Sequence, residues 1–357
     1  MRQPAHGGNL AWAAALAGCP PAAILDFSAS ISPLGPPDSA IAAIQSQIGN
    51  LRHYPDPNYS ELRLALSHFH QLPFEWILPG NGSAELLTLV GRELAQLAAT
   101  VVITPAFGDY YRTLTAYNAQ LLEFPVDLGL GNLSSFLDNE QNLKDLGLLI
   151  NNPHNPTGKL FSRESILPYL DQFALVVVDE AFMDFLPPDE EQSLISLVQE
   201  YDNLVVLRSL TKFYSLPGLR LGYAIANPDR LSKWQLWRDP WPVNTLAAAA
   251  AIAALQDREF QEQTWLWLPP ARTQLLQGLA AIPGLKPENS AANFLLIESK
   301  QSISQLQQEL LRYHQILIRD CLSFKELGDR FFRVAVRTQV DNHRLLTALH
   351  SVISAEC

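Results

Sequence analysis

Short hydrophobic runs rich in β-branched residues recur along the chain, at 101–104, 146–150, 175–178, 204–207 and 221–225. Runs of this length without polar alternation read as strands buried on both faces. Helical or polar segments separate several of them, and that alternation predicts an α/β architecture with a mostly parallel sheet. Several helices are predicted from periodicity and caps. A short one buries Leu10, Ala13, Ala14 and Ala17, and a second, capped by Asp38, runs through Ile48. A third covers 59–70 with Leu62, Leu66 and Phe69 on one face. Gly80-Asn81-Gly82-Ser83-Ala84-Glu85 leads into a fourth over 86–97, and 247–255 is a helix of mostly small residues. The Trp-rich segment 234–241 begins the exit from this unit. Beyond it, long helical stretches surround three strands, 293–297, 316–318 and 332–336, the pattern of a smaller α+β domain. The expected division is an entry segment, 1–35, a large domain, 36–245, and a small C-terminal domain, 246–357.

Composition narrows the function. A chain of 357 residues, 48% hydrophobic, builds a large core and two domains. The net charge of -11, with no basic cluster, argues against nucleic acid or an anionic membrane as partner. Cys19, Cys321 and Cys357 are scattered and form no CxxC, which predicts reduced thiols in the cytoplasm and no structural zinc. Leu16-Ala17-Gly18-Cys19 has the look of a lipoprotein cleavage box. Only Arg2 supplies positive charge ahead of it, the apolar run is short and mostly alanine, and Pro20 and Pro21 follow at once, so a short helix is the expected structure. No run is long and apolar enough to span a bilayer.

The candidate chemistry follows strand ends, where open α/β sheets place ligands. The run 204–207 leads into Arg208-Ser209-Leu210-Thr211-Lys212-Phe213-Tyr214, with Arg220 eight residues beyond the lysine. A lysine there can form a Schiff base with an aldehyde cofactor. Ser209, Thr211 and Arg220 can hold a phosphate beside it. Alone, the same letters fit an ordinary surface loop. Val178 leads into Asp179, which reads either as a strand-end cap or as a carboxylate facing a cofactor. Asn155, in Asn151-Asn152-Pro153-His154-Asn155-Pro156-Thr157-Gly158, is otherwise a turn asparagine. The segment from Gly80 to Glu85 reads as an anion site at a helix start or as a plain cap.

Order, spacing and residue type in these segments resemble the fold-type I pyridoxal-phosphate (PLP) enzymes, within the class I/II aminotransferase superfamily. The resemblance covers nearly the whole chain and implies a seven-stranded, mostly parallel sheet sandwiched by helices, plus the smaller domain. It implies that Lys212 binds the cofactor and moves protons, that Asp179 pairs with the pyridine nitrogen, and that Asn155 meets the ring's phenolic oxygen. Phe107 would stack on the ring, with Ala181 opposite. The backbone at Ser83 and Ala84, with Ser209, Thr211 and Arg220, would hold the cofactor phosphate, joined by Tyr54 from a neighbouring subunit in a homodimer with shared active sites. His6-Gly7-Gly8-Asn9, Asp26-Phe27-Ser28, Phe182 and Trp241-Pro242-Val243-Asn244 most resemble the threonine-phosphate decarboxylases of cobalamin synthesis. That branch implies a phosphorylated amino-acid substrate, with His6, Gly7, Ser30, Asn155 and Arg319 around it and Arg333 on its carboxylate. Two positions depart from the branch, which carries asparagine where this chain has Ser30 and Ser32; phosphoserine is therefore a second candidate substrate. Arg337 reads as an exposed salt bridge. The alternative functions are histidinol-phosphate aminotransferase and a PLP-fold regulator without catalysis; the regulator lacks support, since the chain has no spare DNA-binding module.

Overall fold

A computed structural model describes residues 6–128, Leu133 and 143–355; Arg2 and Cys357 lie outside the described residues. In chain order the elements are α1 (Leu10–Ala17), β1 (Leu25–Asp26), α2 (Asp38–Gln47), α3 (Ser60–His70), β2 (Ile77–Asn81), α4 (Gly82–Leu94), β3 (Ala99–Thr104), α5 (Gly108–Ala116) and β4 (Leu121–Pro125). They continue with β5 (Leu146–Asn151), the helix Arg163–Leu170, β6 (Leu175–Asp179), β7 (Leu204–Ser209), β8 (Leu221–Ala226) and the helices Pro228–Gln235, Thr245–Gln256 and Arg258–Ala280. The C-terminal part adds β9 (Leu285–Pro287), β10 (Phe294–Ser299), the helix Ile303–His314, β11 (Ile316–Leu317), β12 (Arg319–Asp320), β13 (Phe331–Ala335) and the helix Gln339–Ala355.

The main sheet has seven strands in the order β2-β8-β7-β6-β5-β3-β4, and all are parallel except β8. Successive residues of its central strands enter two different cores. Val176, Val178, Leu204 and Val206 pack on one side; Val177, Val205 and Leu207 pack on the other. This double burial is why the sequence shows unbroken apolar runs there. The C-terminal part carries an antiparallel sheet, β12-β13-β10-β9, while β1 pairs in parallel with β11. Leu25 and Asp26 therefore join a strand of the distant C-terminal part.

Several expectations shift. The helix expected over 86–97 is α4, which starts at Gly82 and stops at Leu94, because Gly82 adopts φ 73° and turns β2 directly into helix. Asp38 is the first residue of α2 and Pro37 occupies the cap. Phe69 lies in the last turn of α3, is 40% exposed, and meets the His70 ring edge-on at 4.9 Å. The strand expected at 316–318 is split, with β11 and β12 bonded in different sheets. β1, β2, β4 and β9 have no counterpart among the expected strands: β1 has two residues, proline or glycine interrupts β2, and β4 is a half-exposed edge. Trp234 is fully buried, and its indole N–H donates to Glu93 at 2.8 Å.

Candidate active site

The parallel strands β5, β6 and β7 end at Asn151, Asp179 and Ser209, and the register sets Asn151 beside Asp179. They open into a cavity of about 390 Å³. It is lined by every residue nominated from the sequence except Tyr54.

One end is built for an anion. The first turn of α4 leaves backbone N–H groups of Ser83 and Ala84 without helical acceptors, and the helix dipole adds positive potential there. Two glycines allow the close approach. A Cβ on Gly82 would lie 2.7 Å from Nη2 of Arg220, and one on Gly222 would lie 2.6 Å from the Ser83 nitrogen. Ser209 Oγ and Thr211 Oγ1 stand 2.7 Å apart beside them. Arg220 itself is exposed and donates to the Pro217 carbonyl at 3.3 Å.

Lys212 is half-buried between this end and two arginines. Burial, then repulsion from Arg333 and Arg220, pulls its ammonium down to about 8. It is therefore much closer to its amine form at neutral pH than a surface lysine. Asp179 is buried. Its Oδ2 accepts from the Tyr110 hydroxyl at 2.7 Å and its Oδ1 from the Ala181 N–H at 3.1 Å. Burial raises this carboxyl, and the two hydrogen bonds partly reverse the effect. Phe107 and Ala181 both line the cavity, and Phe107 meets Tyr110 edge-on at 5.7 Å.

The other end carries two arginines. Arg319 and Arg333 are direct cross-strand partners on β12 and β13, and both are buried. Arg333 donates to Asn155 Oδ1, stacks on Phe294 at 4.7 Å, and has a buried Nε without a hydrogen bond. Arg319 bonds Ser323 Oγ at 2.7 Å. Burial, then Arg319, lowers the Arg333 guanidinium to about 10. Phe182 reaches this region as a bare ring, edge-on to Phe294 at 5.0 Å.

The N-terminal segment closes the site. The Gly8 N–H donates to Ser28 Oγ at 2.7 Å, and that hydroxyl donates to Asp26 Oδ1 at 2.6 Å. A Cβ on Gly7 would fall 2.3 Å from the Ser28 carbonyl oxygen, so only glycine lets the segment lie this close. The His6 ring lies 5.8 Å from that of Phe107. Ser30 faces the cavity with a buried, unbonded hydroxyl. Ser32 does not line the cavity; its N–H donates to the Lys212 carbonyl and its carbonyl accepts from Ser215 Oγ, which anchors the lysine loop. Tyr54 is 78% exposed, stacked on Trp241 at 4.4 Å, and is not part of the cavity wall. Arg337 binds Asp341 and the Asp26 carbonyl. Tyr110, Asn151 and Ser28 also line the site. The motifs around Asn151 and Ser28 marked their neighbourhoods, whereas Tyr110 carried no signal of that role, because its partner Asp179 lies 69 residues away.

Residues 22–349 match the family model described as aminotransferase class I and II. The chain is 37% identical to the threonine-phosphate decarboxylase of Salmonella typhimurium, over 98% of this chain and 97% of that one. It is 31% identical to an adenosylcobalamin biosynthesis bifunctional protein of Leptospira interrogans, over 99% of this chain and 41% of that one. Among solved structures, the histidinol-phosphate aminotransferase of Clostridium acetobutylicum superposes with a TM-score of 0.84 at 29% identity, over 93% of this chain and 100% of that one. With a lysine, an aspartate and an anion cradle converging at the strand ends of such a sheet, and a family match over most of its length, the chain belongs to the class I and II aminotransferase family.

Proposed function

We propose that this chain is a PLP-dependent decarboxylase that converts O-phospho-L-threonine to (R)-1-aminopropan-2-yl phosphate for cobalamin synthesis. The observation that carries the proposal is the Arg319–Arg333 pair. Like charges directly opposite on antiparallel strands repel, and burial removes the water that would screen them. Such a pair suits a ligand with two separate anions, as a phosphorylated amino acid has.

The cavity fits the cofactor. Ser83 and Ala84 N–H groups, the Ser209 and Thr211 hydroxyls and Arg220 would hold its phosphate. Asp179 would keep the pyridine nitrogen protonated, Asn155 would meet the phenolic oxygen, and Phe107 and Ala181 would flank the ring. Bound there, PLP supplies an electron sink for the pair left when a bond to Cα breaks. The protein's own part is orientation. Arg319, with His6, Gly7 and Ser30, would anchor the substrate phosphate, while Arg333 and Asn155 hold the carboxylate. The substrate is thereby turned so that the Cα–carboxylate bond, rather than Cα–H, stands perpendicular to the ring. Fixing one rotamer in this way can account for a large part of a barrier. Lys212 would carry the cofactor and return a proton to Cα.

The proposal includes a cytoplasmic homodimer. Ile41, Ile48, Leu51, Tyr54 and Trp241 are exposed apolar residues, suited to a second copy that receives Tyr54 at its phosphate. Among the described residues no helix is long and apolar enough to cross a membrane.

Histidinol-phosphate aminotransferase is the second reading, supported by the likeness to the Clostridium enzyme. Histidinol phosphate has no carboxylate to offer Arg333; in that reading the α-carboxylate of glutamate would occupy it. The test is a product balance with O-phospho-L-threonine and 2-oxoglutarate together, beside O-phospho-L-serine and histidinol phosphate. Carbon dioxide and aminopropanol phosphate should appear in equal amounts, with little glutamate and no need for the keto acid. Stoichiometric glutamate without carbon dioxide would establish the aminotransferase instead.

A further inference from the structure

We propose that Tyr110 is a positioning residue that keeps the cofactor's ring proton on nitrogen, by donating its hydroxyl to Oδ2 of Asp179. The inference rests on the reading of the cavity as a PLP site and extends it to a residue outside the set named above.

Three features carry it. Tyr110 sits in the first turn of α5, 2% exposed, with its ring held edge-on to Phe107. Its hydroxyl lies 2.7 Å from Oδ2, while the Ala181 N–H occupies Oδ1. The backbone of Asp179 is fixed as well, since its carbonyl accepts from the Asn151 side chain at 2.7 Å and the Asn152 N–H at 2.9 Å. Each carboxylate oxygen thus has one donor and the backbone carbonyl has two, and Tyr110 supplies the side-chain donor on Oδ2.

The consequence is electrostatic. Burial, then the Asp179 charge, pushes the Tyr110 hydroxyl well above its ordinary value. It remains a phenol at any working pH and acts toward the carboxylate as a donor. A donor on a carboxylate stabilises the charge and lowers its basicity. In a buried pair of pyridine nitrogen and carboxylate, a proton placed between them resides on the more basic partner. Weakening the carboxylate as a base favours the pyridinium, and the pyridinium is what makes the ring an electron sink. Without the Tyr110 hydroxyl, the proton moves toward Asp179 and the sink weakens, although every residue assigned above to hold the cofactor remains.

The test uses holoprotein loaded with PLP labelled with 15N in the ring. In the parent protein the ring nitrogen should resonate as a pyridinium. In Tyr110→Phe, which keeps the ring packing, it should move toward the unprotonated pyridine position. kcat should fall roughly ten- to a hundredfold, the scale of one hydrogen bond to a charged group, with KM changed no more than about twofold. Tyr110→His, which can still donate, should return the resonance toward the parent position. Tyr111→Phe, whose hydroxyl donates instead to Glu123 at 2.9 Å, should leave both readings in place. A pyridinium resonance identical in parent and Tyr110→Phe would overturn the inference alone. An unprotonated ring in the parent would overturn the role of Asp179 together with it. Glutamate in place of carbon dioxide would end the decarboxylase reading and leave this inference standing, because both reactions need the same sink.

Discussion

Lys212 shows how one residue's burial becomes both reactivity and cost. Its ammonium titrates near 8 in the folded chain against a reference of 10.5, through burial first and then the Arg333 and Arg220 charges. Between those two pH values the unfolded chain binds more protons than the folded one, so the stability of the cofactor-free protein rises with pH across that window. Below about 8 the lysine is charged in both states and its full penalty remains. Lys212→Met should therefore be more stable than the parent at pH 7, by an amount on the order of 1–2 kcal/mol once partial exposure is allowed for. That advantage should shrink toward zero as pH rises to about 10.5. Urea unfolding of both apoproteins at pH 7, 8, 9 and 10 measures it. A difference that stays constant with pH would show that Lys212 carries no such burden.

At the scale of elements, the anion end depends on how closely α4 approaches β8. Gly222 on β8 has the Ser83 nitrogen, the Arg208 carbonyl oxygen and the Gly82 carbonyl carbon within 2.6–3.0 Å of where a Cβ would stand. All three are backbone atoms, so none can swing aside. Gly222→Ala should push the start of α4 off the strand, costing about 1–3 kcal/mol of stability in the way overpacked cores do. It should also weaken PLP binding roughly tenfold or more, because phosphate contacts from a helix start need the N–H groups in place. Equilibrium dialysis with PLP reads the second effect. Unchanged affinity would mean that the α4 start does not hold the phosphate. The run 221–225 marked a strand, but nothing in its letters announced that Gly222 faces the start of a helix 140 residues earlier in the chain.

At the scale of the molecule, a buried ionic knot ties two functional strands together. Arg208, just before Ser209, pairs with the Glu180 and Asp184 carboxylates and donates to Ser193 Oγ, and Glu180 directly follows Asp179. Burial lifts the Glu180 carboxyl to about 7 despite the arginine beside it. The knot holds the ends of β6 and β7 in fixed relation, and with them Asp179 and the lysine loop. The second whole-molecule feature is the proposed dimer. Tyr54 stands outside its own chain's cavity, so the phosphate role proposed for it needs a second copy. Tyr54→Phe and Lys212→Ala should each have low activity alone. Mixed dimers of the two variants should regain activity, since one site in each hybrid pairs an intact Lys212 with an intact Tyr54. Failure of mixing to raise activity above either variant, with hybrid formation verified, would remove Tyr54 from the shared site.

The strands and the chemical residues at their ends were legible in the sequence because both faces of the sheet are buried. Double burial writes continuous apolar runs, and the residues that follow such runs stand out against them. Lys212, Asp179, Asn155 and Arg220 could be nominated in this way, and Arg319 and Arg333 by resemblance. What the tertiary structure decided is adjacency between segments distant in the chain. It set Arg319 opposite Arg333 across two strands, brought Tyr110 to Asp179 from a helix 69 residues away, and divided 316–318 between two sheets. It sent Ser32 to the backbone of the lysine loop and left Tyr54 outside its own cavity. A local pattern fixes which face of an element is buried, because that depends on nearest neighbours along the chain. Which charge meets which depends on packing between elements, and no spacing within one element encodes it.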